Sequence, residues 1–311
     1  MIDHRSDERR MRMKNMLVTG GTVFVSRAIA SYFAEKDWHV SVLNRNTREQ
    51  PAGTDLIQAD RYALGDALRA YHFDAVIDTA YCAQDVQQLL QALGSYEEYV
   101  LISSSAVYPE NTAQPFAEDA PLGSNRYWGT YGTDKIEAEE ALLKADPNAY
   151  ILRPPYLYGP MNNVYREAFV FDCAMADRKF YLPGKGEMKL QFFHVQDLCR
   201  FIDLLLEKRP VQHIFNVGNR ETISIRDWAE LCYQAAGRKA EFVQVSQEIE
   251  QRNYFSFYNY EYCLDVSKQE EIMSDTVPLS LGMQACYAWY LEHQSDVMKR
   301  PYMDYIDSHL K

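Results

Sequence analysis

Between Met16 and Pro155, short apolar runs alternate with helical stripes, and that alternation restricts the folds open to this chain. Met16-Leu-Val-Thr19, His39-Val-Ser-Val-Leu43, Asp55-Leu-Ile-Gln58, Ala75-Val-Ile-Asp78, Tyr99-Val-Leu-Ile-Ser103 and Ala149-Tyr-Ile-Leu-Arg153 read as buried strands. Val25, Ala28, Ile29 and Phe33 follow helical spacing, as do Val86, Leu89, Leu90 and Leu93, a stripe ended by Gly94. Further helices are expected around Gly65 to Tyr71 and over Tyr127 to Lys144. Strands joined through helices run parallel, so the expected class is α/β, with a doubly wound parallel (Rossmann) sheet and ligands at the carboxyl ends of its strands.

After residue 155 the pattern loosens. Tyr156-Leu-Tyr-Gly-Pro160, a helix around Arg166 to Asp177 and the turn Leu182-Pro-Gly184 precede two regular segments, Gln191 to Leu206 and Ile214-Phe-Asn-Val217. Helices near Ile225 to Ala236 and Leu279 to His293 follow. The expected division is a disordered tail over 1–15, a dinucleotide-binding domain over 16–155 with 191–217 returning to it, and a smaller substrate lobe from 156–190 and 218–311. Tyr254 to Tyr262 is dense in aromatics. Such a run serves either as a stacking surface for a sugar or base or, more commonly, as core.

Net charge is −12 and the pI is near 5.1, against the basic patches on which nucleic-acid binding rests. No apolar run approaches the length that spans a bilayer. Cys82, Cys173, Cys199, Cys232, Cys263 and Cys286 are scattered without a Cys-x-x-Cys pair, which suits buried thiols in a reducing compartment and gives no metal site. Residues 1–15 mix Arg5, Arg9, Arg10 and Arg12 with Asp3, Asp7 and Glu8 and lack the apolar segment of a secretory signal, so the expected location is the cytoplasm.

Gly20-Gly21 breaks the first strand and leads into a helix, a turn that aims helix N-terminal amides at an anion. Past the second strand, where a dinucleotide fold meets the adenosine ribose, an acidic residue is missing and Asn44-Arg45 stands in its place. Arg45 suits a 2′-phosphate, hence NADP, and equally reads as part of a solvated basic loop. Tyr-x-x-x-Lys occurs three times. Tyr181 to Lys185 contains Pro-Gly, and Tyr32 to Lys36 has no hydroxyl-bearing strand end before it. Tyr131 and Lys135 follow a strand that ends in Ser103-Ser-Ser105, and on a helix they share one face. An ammonium beside a phenol lowers the phenol's pKa, and a serine fixes a substrate oxygen, as proton transfer to or from a hydroxyl requires.

These residues together resemble the extended short-chain dehydrogenase/reductases, in particular the NAD-dependent epimerase/dehydratase group. The resemblance rests on Thr19-Gly-Gly-Thr-Val-Phe-Val-Ser26, Asp60, Ser103-Ser-Ser-Ala-Val-Tyr108, Tyr131-x-x-x-Lys135, Arg153-Pro-Pro-Tyr-Leu-Tyr-Gly-Pro160, Phe193-His-Val-Gln-Asp197 and Phe215-Asn-Val-Gly218. It implies that Tyr131 is the general acid/base, that Lys135 holds the nicotinamide ribose and that Ser104 orients the substrate oxygen. Gly20, Gly21, Phe24, Val25, Asn44, Arg45, Asp60, Ala80 and Pro155 would line an NAD or NADP site with Tyr131 and Lys135. Ser105, Tyr156 and Phe193 would face the substrate. Val23 and Ser26 stand where the family has glycines: a side chain at Val23 crowds the place where the pyrophosphate approaches, and Ser26 loosens the close helix–strand contact.

The implied activity is that of an NAD(P)-dependent nucleotide-sugar epimerase of the UDP-glucose 4-epimerase type, acting as a homodimer. An NADP-dependent carbonyl reductase and a non-catalytic nucleotide- or RNA-binding relative are the alternatives. Dehydration is disfavoured, because Ser105 and Ala106 follow Ser104 where dehydratases of the family carry an acidic pair.

Overall fold

The computed structural model of the chain describes residues 13–36 and 38–311. The tail expected over 1–15 lies outside them as far as residue 12, while Lys14 and Asn15 already belong to the first strand. The chain divides into two compact units. The first comprises the described residues up to Ser103 together with Asp134–Leu152 and Leu206–His213; the second comprises Ser104–Thr133, Arg153–Leu205 and Ile214–Lys311.

Strands β1 (Lys14–Thr19), β2 (Trp38–Asn44), β3 (Thr54–Gln58), β4 (His72–Asp78), β5 (Ser95–Ile102) and β6 (Tyr150–Arg153) pair in parallel. Their apolar residues, such as Met16 to Val18 and Ala75 to Ile77, have no exposed surface, as expected of strands covered on both faces. The connecting helices are α1 (Phe24–Ala34), α2 (Ala83–Ala92) and α3 (Thr130–Ala145). With the later strand β10, the sheet has seven strands in the order β10-β6-β5-β4-β1-β2-β3. The order reverses between β1 and β4, which makes the ends of those strands the switch point where doubly wound sheets receive ligands.

The helix expected around Gly65 to Tyr71 does not form. Residues 61–63 make a 3-10 turn, and 65–70 follow as consecutive turns with Gly65 at φ +51°. The carbonyls of Arg69 and Tyr71 press against Gly94, 2.3 and 2.7 Å from where a Cβ would stand, and that fit holds the segment in an irregular path.

The second unit contains β7 (Tyr156–Tyr158), β8 (Phe180–Pro183), β9 (Lys189–His194), β10 (Ile214–Asn216), β11 (Thr222–Ser224) and β12 (Phe242–Val245). β11, β9 and β7 form one small sheet, and β12 pairs with β8 in another. Helices α4 (Glu167–Met175), α6 (Ile225–Ala235), α7 (Leu279–Glu292) and α8 (Tyr302–His309) surround them, and α5 (Val195–Lys208) follows β9 directly. Trp228, Phe169, Phe180, Phe192, Phe255 and Phe257 fill the core of this unit. Of the aromatic run 254–262, Tyr254, Phe255, Phe257, Tyr260 and Tyr262 are buried, so most of it is core.

Candidate active site

In the first unit, the turn after β1 is held by its own strand neighbours. Gly20 and Gly21 take φ of +81° and +76°, and a Cβ on Gly21 would stand 2.5 Å from Val42. Only glycine fits there. Asn44, expected at a ribose, uses its amide to brace the turn: Nδ2 donates to Gly20 O (2.7 Å) and to Gln50 Oε1 (2.9 Å). Ser26 donates to Val23 O and covers Gly20. Phe24 is buried at φ +37° and Val25 is half-buried. Val23 precedes α1 in an extended conformation, and no side chain caps the helix. The amides of its first turn therefore have no side-chain acceptor, an arrangement that a phosphate satisfies. Arg45 is exposed, and Asp60 accepts the Tyr62 N–H (2.9 Å) at the start of the 3-10 turn.

Under the ends of β1 and β4 lies a charge pair that the sequence does not announce. Asp78 is fully buried and accepts from Arg61 (2.6 Å), Thr19 Oγ1 (2.7 Å) and Tyr99 OH (2.6 Å). Burial alone would raise its pKa, but the Arg61 charge and the hydrogen bonds from Arg61, Thr19 and Tyr99 hold it below the usual carboxylate value.

Lys135 is 4% exposed, and its Nζ donates to Ala80 O (2.6 Å) and Ile102 O (2.8 Å), just past β4 and at the end of β5. Burial pushes its pKa down to about 8, against the opposing pull of Asp78, Glu139 and Asp85. Glu139 lies one turn further along α3 and accepts a short hydrogen bond from Ser103. Its i,i+4 spacing from Lys135 was a signal in the sequence that pointed to this shared face.

In the second unit, the strand-end hydroxyls have distinct surroundings. Ser105 is buried and donates to Tyr262 OH (3.0 Å). Ser104 is half-buried and accepts the Ala106 N–H (3.1 Å); among the described residues no hydrogen bond uses its hydroxyl as a donor. Of Ser103, Ser104 and Ser105, then, Ser104 keeps a proton to offer. Tyr131 is half-buried at the first turn of α3, its N–H donating to Trp128 O (3.1 Å). Gly132 beside it lets the helix approach the 105–107 turn, a contact that sequence reasoning missed.

Pro155 is buried, on a segment held by the Arg153 guanidinium, which donates to Tyr108 OH (2.9 Å) and Glu118 O (3.0 Å). The Tyr156 hydroxyl is enclosed without a hydrogen-bond partner among the described residues, and the Arg166 guanidinium lies 5.3 Å from its ring. Burial raises the Tyr156 pKa. Phe193 is fully buried on β9, which makes it a packing residue of this unit in the observed state. A cavity of about 970 Å³ in the same unit is lined by Arg126, Tyr127, Lys185, Tyr254 and Tyr258 among others.

Comparison with known proteins bears on the family and the fold. The family model described as the NAD dependent epimerase/dehydratase family matches residues 16–92 and 83–218. The chain is 28% identical over 245 residues to the chloroplast stem-loop binding protein of 41 kDa b of Arabidopsis thaliana, covering 72% of this chain and 64% of that one. It is 26% identical over 220 residues to a probable GDP-L-fucose synthase 1 of Oryza sativa subsp. japonica, covering 64% of each. The match therefore spans just under two thirds of the length of these relatives. Among solved structures, UDP-glucuronic acid 4-epimerase of Bacillus cereus, in complex with UDP-glucuronic acid and NAD, superposes with a TM-score of 0.71 at 20% identity, over 89% of this chain and 99% of that one. The Bordetella bronchiseptica enzyme WbmG in complex with NAD gives 0.74 at 17% identity, over 91% and 96%. These likenesses are of fold. No helix among the described residues is long and apolar enough to cross a membrane. The family match covers well over half of the sequence, and the chain belongs to the NAD-dependent epimerase/dehydratase family.

Proposed function

We propose that this chain is an NAD(P)-dependent nucleotide-sugar epimerase in which Ser104, Tyr131 and Lys135 act on a sugar carbinol. The observation that carries the reading is the sorting of the three serines: Ser103 is bonded to Glu139 and Ser105 to Tyr262, while Ser104 retains its donor. The Gly20-Gly21 turn and the uncapped N-terminus of α1 suit a dinucleotide's pyrophosphate. A bound NAD or NADP would supply the hydride acceptor and donor for the ring carbon.

The remaining steps belong to the protein. Ser104 holds the substrate oxygen by hydrogen bonding, and Tyr131 takes the hydroxyl proton as the carbon is oxidised and returns it after the ketone has turned over. Lys135, clamped by two carbonyls, is pre-positioned to bond a ribose hydroxyl and to favour the tyrosinate. The cavity is lined by Arg126, Lys185 and three tyrosines together with Glu187, Glu248 and Glu250, so the tyrosines, rather than its charge, are what would suit a sugar or base there. Exposed Arg45 makes NADP a candidate beside NAD.

A binding role without catalysis is the second reading, favoured by the similarity to a protein named for stem-loop binding. The net charge of −12 opposes it. Denaturing the purified protein, identifying released nucleotide by mass spectrometry and titrating NAD and NADP by calorimetry tests the first reading. Bound or titratable dinucleotide is expected; tight stem-loop RNA binding in a gel shift, with no dinucleotide bound at millimolar concentration, would replace it.

A further inference from the structure

The aromatic run 254–262 divides by what its side chains carry. Phe255 and Phe257 fill the core of the second unit, where a phenyl ring suffices. Tyr260 and Tyr262 are buried as well, yet each brings a hydroxyl that burial obliges to find a partner. Tyr262 OH accepts from Ser105 Oγ (3.0 Å), in the turn that follows Ser104. Tyr260 OH accepts from Asn125 Nδ2 (3.3 Å), whose Oδ1 accepts the Tyr127 N–H (3.0 Å), in the segment that leads into α3 and Tyr131. The Tyr260 and Tyr262 rings stack on each other (5.2 Å, 25°), so both point to one side of their segment. Tyr260 also stacks on Tyr127 (4.5 Å, 10°), and the Trp128 ring stands edge-on to Tyr260 and Tyr262 at 6.2 and 6.3 Å. The Trp128 carbonyl accepts the Tyr131 N–H (3.1 Å). The segment that carries the two tyrosines is itself tied down: the Phe116 N–H donates to Cys263 O and the Asp265 N–H to Phe116 O, each at 2.9 Å.

We propose that Tyr260 and Tyr262 form a two-pronged clamp that fixes the Ser104 turn against the segment carrying Tyr131, and that both are positioning residues for the reaction. The reaction part of this inference rests on the function proposed above; the clamp itself does not. Ser104 and Tyr131 belong to separate stretches of chain, and an error of ~1 Å in the spacing of such a pair costs about a hundredfold in rate. Two hydroxyls on one fixed segment hold both stretches at a set distance.

The test uses Tyr260→Phe and Tyr262→Phe in the full chain, which keep the rings and remove one hydroxyl each. Hydrogen–deuterium exchange, read by mass spectrometry, is expected to rise severalfold in peptides over 104–108 for Tyr262→Phe and over 125–131 for Tyr260→Phe. On an accepted UDP-sugar, each variant is expected to lose about tenfold in kcat per folded enzyme, with KM and dinucleotide affinity unchanged. Tyr262→Phe combined with Ser105→Ala should lose no more in kcat than the larger of the two single changes, because both remove the same bond. Additive losses would overturn the claim that Tyr262 acts through Ser105. Unchanged exchange in both segments would overturn the clamp, and raised exchange with wild-type kcat would overturn the positioning role. Raised exchange in the variants of a protein whose wild type turns over no UDP-sugar would uphold the clamp and overturn the proposed function alone.

Discussion

Gly132 and the carbonyl of Ala106 are packed so closely that a Cβ on the glycine would stand 2.2 Å from the oxygen. Backbone meets backbone here, so neither side can yield cheaply. The contact sets the distance between the first turn of α3, which carries Tyr131, and the turn that follows Ser104.

Gly132→Ala should therefore push Tyr131 away from the Ser104 turn. Overpacking costs about 1–3 kcal/mol of stability, and misplacing a catalytic group by ~1 Å costs about a hundredfold in rate. Chemical denaturation together with kcat/KM on an accepted UDP-sugar checks it; a variant that keeps full activity would show that the contact does not position the tyrosine.

The three serines should separate on substitution. Ser104→Ala is expected to lower kcat by roughly a hundredfold or more while leaving the melting temperature nearly unchanged. Ser103→Ala and Ser105→Ala each remove a buried hydrogen-bond partner and should cost about 1–3 kcal/mol of stability, with smaller effects on rate. Equal kinetic effects at all three positions would contradict the assignment.

Lys135 makes stability depend on pH in a definite direction. Its folded-state pKa of about 8 lies below the reference of 10.5, so between those values the unfolded chain binds the extra proton. Its contribution to stability should then rise with pH across that window, by up to ~3 kcal/mol, and be constant below it. Urea unfolding of wild type and Lys135→Met from pH 7 to about 10.5 measures the difference between them, which isolates this lysine from other alkaline groups; a flat difference would show that the lysine is not buried as a cation.

Asp78→Asn should be among the costliest single changes in the first unit. It leaves Arg61 facing a neutral amide in a buried site, and breaking such a pair costs roughly 3–5 kcal/mol. A urea midpoint close to wild type would contradict the network of Asp78, Arg61, Thr19 and Tyr99.

The strands of the first unit were legible because strands covered on both faces are written as continuous apolar runs, as in Met16 to Val18 and Val100 to Ile102. The second unit was less so. Its three-residue strands and the parallel pair β8 and β12, distant in sequence, leave no periodicity to read, and α8 was not expected at all. The segment 65–71 misled for a related reason: the fit of Arg69 and Tyr71 against Gly94 overrode local helical spacing. At the candidate site, Tyr131, Lys135 and Ser104 were proposed from spacing and order. The Arg61–Asp78 pair and the Gly132 contact were not, because each depends on atoms that only the tertiary fold brings together.

The central claim is that Tyr131 moves the proton while a bound cofactor moves the hydride at one sugar carbon. Wild type and Tyr131→Phe, each shown by calorimetry to hold dinucleotide, would be incubated with UDP-sugars deuterated at C4 and the products followed by NMR. The account predicts that wild type forms the C4 epimer with deuterium retained, and that Tyr131→Phe binds dinucleotide with unchanged affinity but forms none. Full epimerisation by Tyr131→Phe, or loss of the deuterium to solvent during turnover, would contradict it.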